Sequence, residues 1–257
     1  MICEFPNFNI ITRKDDNMIR IENVTKTYNS TVRAVDNLNL TVNDGEIVGF
    51  IGPNGAGKTT TLKMMTGILK PDCGTILIND YDMQKEPLKA KQVIGYIADS
   101  PDMFLRLKGI EFMNLISDIY KVPTDVRKER IKTFATRFDL ADVLDKPMQS
   151  YSHGMRQKMM VAAALVHDPD VWILDEPLTG LDPKSAYALK QMMREHADAG
   201  NSVLFSTHVL EVAEKLCDKV IIINHGQSLF YGTLDELTAK YPDMDLEKIF
   251  LEMTAHE

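Results

Sequence analysis

Short β-rich segments and helical stretches alternate along the chain. "IRIENVTKTY" (19–28), "LNLTV" (38–42) and "EIVGFIG" (46–52) read as strands, with turn residues "DN" and "NDG" between them. "GTILIND" (74–80) and "VIGYIAD" (93–99) read as two more. "VWILD" (171–175) and "SVLFSTH" (202–208) are continuous apolar runs, the pattern of parallel strands buried on both faces. Helical periodicity marks "KTTTLKMMTGIL" (58–69), which stops at Lys70-Pro71, and "PKSAYALKQMMREHADAG" (183–200). From Met103 to about Leu144 the pattern is helical, as "FLRLKGIEFMNLISDIYKV" and "VRKERIKTFATRFDL" separated by Pro123, and "MRQKMMVAAALV" (155–166) follows as a further helix. "KVIIINHGQSLFYGT" (219–233) predicts a hairpin turning at His225-Gly226. "DELTAKYPDMDLEKIFLEMTAHE" (235–257) predicts one final helix and a tail. The sum is an α/β core carrying a mostly helical insert near 100–165, with no internal repeat.

Composition changes this picture little. The 257 residues suit one large domain or two small ones, and 44% hydrophobic with 26% charged residues is an ordinary globular balance. A net charge of -8 and the lack of any Lys/Arg run argue against nucleic acid as a partner, which needs a positive field. Cys3, Cys73 and Cys217 are far apart and odd in number, which gives neither a zinc spacing nor a disulfide framework and favours a reducing cytoplasm. The longest apolar runs, "VAAALV" and "VIII", are core-sized and fall short of the roughly 18 residues of a spanning helix. Residues 1–17 have no signal-peptide pattern and are expected to be a loose extension, with a domain over 18–250 and a tail over 251–257.

The candidate chemistry begins at "GPNGAGKT", residues 52–59, which fits G-x-x-x-x-G-K-[ST] at every fixed position in the required strand–loop–helix context. Such a loop turns backbone N–H groups toward phosphate oxygens. ATP is therefore expected to lie against Gly52, Pro53, Asn54, Gly55, Ala56, Gly57, Lys58, Thr59 and Thr60, with Lys58 on the β- and γ-phosphates and the Thr59 hydroxyl on Mg²⁺. "VWILDEP" ends a strand in two carboxylates: Asp175 stands where a phosphate-binding NTPase holds Mg²⁺, and Glu176 where a carboxylate orients or deprotonates water. His208 ends the strand "SVLFSTH". A lone histidine is more often structural, but beside the acidic pair it becomes a candidate contact for the γ-phosphate.

"YSHGM", residues 151–155, adds a serine and a glycine at a helix start, a second phosphate-binding arrangement in one chain. Together these segments resemble the ATP-binding subunits of ABC transporters over essentially residues 18–250. "YSHGM" is similar to the family's LSGGQ motif: Ser152 and Gly154 match, whereas Tyr151, His153 and Met155 depart from it. "LTGLDP" (178–183) resembles the family's D-loop, with Asp182 in the acidic position.

The resemblance implies a P-loop NTPase cassette with a RecA-like core, an antiparallel β subdomain and a helical subdomain. It also implies catalysis by Glu176, His208 and Lys58, and a head-to-tail dimer in which Ser152, His153, Gly154 and Asp182 of one cassette face ATP held by the other. Tyr28 resembles the aromatic that stacks on adenine, the other reading being an edge-strand surface residue. Where the family has a glutamine this chain has Asp99, either a partner of Mg²⁺ or a turn residue before Pro101. The Met-rich helix with Met155, Met159 and Met160 is read as core.

The implied function is ATP hydrolysis driving an integral membrane permease on a separate chain, exporter-like, at the cytoplasmic face of the membrane. Coupling would run through the Asp99 loop and residues 103–107. The alternative is a soluble ABC-type ATPase uncoupled from transport, though such proteins generally carry two cassettes or a long coiled-coil insertion. A small-molecule kinase would share the phosphate loop but leave "YSHGM" and "LTGLD" without a role.

Overall fold

The apolar runs and the mixed ones sort into two different sheets. The computed structural model describes residues 17–29, 31–100, 104–242 and 244–255. In chain order the first half comprises β1 (Asn17–Tyr28), β2 (Val32–Asn43), β3 (Ile47–Ile51), α1 (Lys58–Met65), β4 (Cys73–Ile78), β5 (Tyr81–Asp82), α2 (Pro87–Gln92) and β6 (Ile94–Ile97). The helical part follows as α3 (Gly109–Ile119), α4 (Thr124–Arg137) and α5 (His153–Leu165). The chain then returns to the core as β7 (Val171–Leu174), α6 (Pro183–Asp198), β8 (Ser202–Thr207), α7 (Leu210–Leu216), β9 (Lys219–Asn224), β10 (Gln227–Gly232), α8 (Leu234–Lys240) and α9 (Leu246–Ala255).

Among the described residues one sheet has four antiparallel strands in the order β2-β1-β4-β5, and the other has six in the order β10-β9-β3-β8-β7-β6. The second sheet is parallel except for β10, which pairs antiparallel with β9. Its central strands bury both faces. Trp172 and Leu174 of β7 point into a core shared with α3, α4, α5 and α6, while Val171 and Ile173 point into the core shared with the four-stranded sheet and α1. Alternation with period two on a strand covered on both sides explains the continuous apolar runs. Met159 and Met160 are buried in the first of these cores, as expected of the Met-rich helix.

The structure departs from the sequence reading in several places. The first insert helix begins at Gly109 rather than Met103, which lies outside the described residues. Residues 105–109 form backbone bonds instead with 146–149, among them Met148 N–H to Leu107 O (2.8 Å) and Gln149 N–H to Leu105 O (2.8 Å), and a backbone so engaged is not free for a helix. The single C-terminal helix is two, α8 and α9, interrupted near Pro242. The expected tail from 251 is the second half of α9, which runs to Ala255 because Leu246, Ile249 and Met253 pack with β9 and β10. The extension over 1–17 lies outside the described residues except for Asn17. The hairpin turns at His225-Gly226 as read, both residues having positive φ.

Two histidines sit where the helical part meets the sheet. The His167 ring stacks on Tyr120 (centroids 3.6 Å apart), and both side chains reach the Ile94 carbonyl. His196 meets the edge of the buried Trp172. Burial holds each imidazole down from its ordinary 6.5 to about 4, and for His167 the nearby Arg130 adds to the effect. The folded state thus keeps both rings neutral where the unfolded chain protonates them, so this stabilisation is complete above pH 6.5 and is lost as pH falls toward 4. We expect the unfolding free energy to fall across that window by up to about 1.4 kcal/mol per pH unit per histidine, and the urea midpoint to fall with it. The double variant His167→Gln/His196→Gln should flatten it. A parent midpoint that does not move with pH there contradicts the assignment.

Candidate functional site

The phosphate loop runs from the end of β3 to the start of α1, and its shape is set by backbone crowding. A Cβ at Gly52 would lie 2.4 Å from the carbonyl of Ile223, and one at Gly57 (φ +108°) would lie 2.3 Å from the carbonyl of Ala34. Only glycine fits either place. The hairpin turn closes over the same loop, Gly226 N–H donating to Ala56 O (2.9 Å) while Asp36 N–H donates to Gly226 O (2.9 Å). Lys58, the first residue of α1, is buried and donates to the carbonyls of Gly52 (2.6 Å) and Pro53 (3.2 Å). Burial lowers its pKa, opposed by the charges of Glu176 and Asp175.

Beside the loop lies a cavity of about 340 Å³. Loop residues 53–55 and 57–60 form one wall, and Asp99, Glu176 and His208, each just beyond the carboxyl end of a parallel strand, complete it with Ala34 and Thr179. The crossovers of a parallel sheet bring those strand ends to one edge. Asp175 is 1% exposed; its Oδ1 accepts a hydrogen bond from Ser206 Oγ (2.7 Å), while its Oδ2 is buried with no protein partner. Ser206 Oγ also accepts the backbone N–H of Glu176 (2.9 Å), so one hydroxyl fixes both acidic residues. Glu176 is left-handed (φ +47°), a strained turn for a residue with a side chain. Its carboxylate lies 3.0 Å from His208 Nδ1 on one oxygen and 3.9 Å from Lys58 Nζ on the other. The Tyr96 hydroxyl is pushed up to about 12, chiefly by burial and further by the charges of Asp175 and Asp99.

A buried carboxylate oxygen without a protein partner, on the residue before the cavity's Glu176, fits a divalent cation. Among the described residues no three His, Cys, Asp or Glu side chains are grouped to hold a metal. Asp175 and Thr59 would thus supply only part of a coordination shell, the remainder coming from phosphate and water oxygens.

The structure gathers residues 53–55 and 57–60 of the phosphate loop with Asp99, Glu176 and His208 around one cavity, Asp175 being buried next to Glu176, while Tyr28 and the four residues expected to face the ATP of another cassette lie elsewhere. Ser152, His153, Gly154 and Asp182 do not line the cavity, nor does Tyr28, which ends β1 with 40% exposure. Ser152 caps α5, its Oγ accepting from Met155 N–H (3.3 Å). Asp182 caps α6: Oδ1 accepts from Ser185 N–H and Oδ2 from Ser185 Oγ, with Lys158 Nζ 3.2 Å away. Those hydrogen bonds, the Ser185 hydroxyl first, hold its carboxyl well below the usual range. Tyr151 is core, its hydroxyl donating to the Val143 carbonyl (2.6 Å). The sequence reading missed Ser206, Ala34 and Thr179. Ser206 stands two residues before His208 in "STH", a signal that period-two alternation along β8 could have exposed.

The family profile described as "ABC transporter" matches residues 35–179. The ABC transporter ATP-binding protein NatA of Bacillus subtilis is 36% identical over 86% of this chain and 90% of its own length. The daunorubicin/doxorubicin resistance ATP-binding protein DrrA of Streptomyces peucetius is 36% identical over 85% of this chain, which spans 66% of that protein. A solved ATP-binding subunit of an ABC transporter superposes with a TM-score of 0.88 at 30% identity, covering 92% of this chain and 99% of its own. The ATP-binding cassette MJ0796, solved as a dimer with ADP and Pi, superposes with a TM-score of 0.77 at 25% identity over 84% of this chain and 99% of its own. Fold, phosphate loop, acidic strand end and relatives agree: the chain belongs to the ABC transporter family, as an ATP-binding, ATP-hydrolysing cassette.

Proposed function

We propose that this cassette drives a separate membrane permease, exporter-like, from the cytoplasmic face of the membrane, and that it works as a head-to-tail dimer, most simply with itself. The observation that carries its hydrolytic part is Glu176, held between His208 and Lys58 beside the buried Asp175. Lys58 and the loop N–H groups take the phosphates of ATP. Thr59 and Asp175, joined by Asp99, would hold Mg²⁺, which neutralises phosphate charge when bound. Glu176 orients water and accepts its proton, and His208 steadies that carboxylate and faces the γ-phosphate. Tyr28 stacks on the adenine from the end of β1. Ser152, His153 and Gly154, at the start of a helix 13 residues long, face the γ-phosphate held by the partner cassette, with Asp182 close behind them.

Among the described residues no helix is long and apolar enough to cross a membrane. The exporter direction is supported by the drug-resistance name of the Streptomyces relative. Coupling to the permease is assigned to the Asp99 loop and the stretch to Leu107, where Phe104 is 47% exposed. Nucleic acid is no part of this reading, given the net charge of -8.

The permease reading is tested by co-expression with any integral membrane protein that a neighbouring gene encodes. The detergent-extracted permease should retain this chain and raise its ATPase rate. A chain that hydrolyses ATP at one rate and never co-purifies is the uncoupled ATPase instead. Glu176→Gln should bind ATP as the parent does but lose turnover by roughly 10²- to 10⁴-fold. In size-exclusion chromatography with ATP and Mg²⁺ it should elute as a dimer, and adding Ser152→Arg should return it to monomer with nucleotide binding intact. Monomer throughout refutes the head-to-tail pairing. For Asp99, Asp99→Asn should raise the Mg²⁺ concentration needed for half-maximal hydrolysis without changing ATP affinity, and Asp99→Gln should keep activity. An unchanged Mg²⁺ dependence makes Asp99 a turn residue.

A further inference from the structure

The loop after Glu176 has little structure of its own. Between β7 and α6 its backbone makes two turn bonds, Thr179 N–H to Glu176 O (3.2 Å) and Leu181 N–H to Leu178 O (3.3 Å), and it passes through left-handed conformations at Glu176 and Gly180. It nevertheless carries two cavity residues, Glu176 and Thr179. Ser206 fixes its start, Leu178 and Leu181 pack on the core, and α5 lies along the rest. Three side chains of that helix, at positions 153, 157 and 158, lie along the loop. The His153 ring lies on Gly180, where a Cβ would come 2.6 Å from its Cδ2 and 2.9 Å from its Nε2. Gln157, 1% exposed, reaches the Pro177 carbonyl with its Nε2 (3.4 Å). Lys158 Nζ pairs with the Asp182 carboxylate (3.2 Å). His153 and Gln157, four residues apart, share one face of the helix, and Lys158, next to Gln157, reaches round to Asp182, so the three contacts together span the loop from Pro177 to Asp182.

We infer that α5 clamps the loop after Glu176 in its own chain, and that His153 is the positioning residue that sets Thr179, and through it the Glu176 turn, at the cavity wall. The ring covers the bare backbone of Gly180, next in sequence to Thr179. Without it that face of the loop at Gly180 loses its packing, and what α5 still supplies is a long amide contact at Pro177 and a partly exposed ion pair at Asp182. His153 thereby acts on its own cavity, in addition to any contact across a dimer. The inference rests on the catalytic role proposed for Glu176 but not on dimerisation.

The test uses the full chain. In His153→Ala, amide hydrogen exchange without nucleotide should speed up several-fold at Thr179, Gly180 and Leu181, with the phosphate-loop amides unchanged. A displacement of about 1 Å at a catalytic group costs up to ~100-fold, so kcat should fall roughly ten- to a hundredfold. His153→Phe keeps a flat ring on Gly180 and should restore both the protection and most of kcat. Unchanged exchange in His153→Ala overturns the inference, as does a His153→Phe variant as impaired as His153→Ala; the latter assigns the residue to its ring nitrogens acting across the interface. If Glu176→Gln keeps its turnover, the catalytic reading fails while the exchange result still decides the clamp.

Discussion

The whole site depends on one steric constraint, the pinning of the phosphate loop between two carbonyl groups. Gly52 abuts Ile223 of the six-stranded sheet and Gly57 abuts Ala34 of the four-stranded sheet. The loop is therefore the seam between the two sheets, not an appendage of β3. The hairpin turn at Gly226 bonds to Ala56 and Asp36 and closes the seam from the outside. A loop fixed at both ends by backbone contacts presents its N–H groups without reorganising, the condition for electrostatic recognition of phosphate.

The acidic side of the cavity is built on a second economy. Ser206 alone orients Asp175 through its hydroxyl proton and Glu176 through its lone pair. The carboxylate of one acidic residue and the backbone of the next are thus fixed by one side chain on the adjacent strand. Asp175 is buried with an unpartnered oxygen, a costly arrangement unless a cation completes it. Glu176 reaches the cavity only because its backbone takes a left-handed turn at the end of β7. Strain and burial concentrate at this candidate site, while the surrounding strands bury ordinary apolar side chains on both faces.

The helical part contributes through α5, which joins three regions. Its apolar residues pack with Phe112, Trp172 and Leu189 in one core, its N-terminal turn carries Ser152 and Gly154, and its side chains from His153 to Lys158 lie against the loop between β7 and α6. The departures from the family motif acquire physical content here. Tyr151 replaces leucine and stays buried by giving its hydroxyl to Val143 O, and His153 stands where a glycine could not have covered Gly180.

Much of this was legible in the sequence because its causes are local. A glycine-rich loop between a strand and a helix, an apolar run ending in Asp175 and Glu176, and a hairpin turn at His225-Gly226 each follow from residues next to one another. The family followed from the same segments. What the sequence hid were relations between distant residues: Ser206 beneath two carboxylates on another strand, Ala34 crowding Gly57, His153 on Gly180, and Asp182 committed to capping α6. Element boundaries went astray where backbone hydrogen bonds leave the local ladder, as at 105–109, or where burial by β9 and β10 keeps α9 going to Ala255. Local residue patterns by themselves determine which elements form and which side chains bear chemistry, because propensity, periodicity and turn geometry act over a few residues. Only the tertiary structure decides which of those side chains share a cavity, because the packing of two sheets and one helical layer brings residues far apart in the chain within hydrogen-bonding distance.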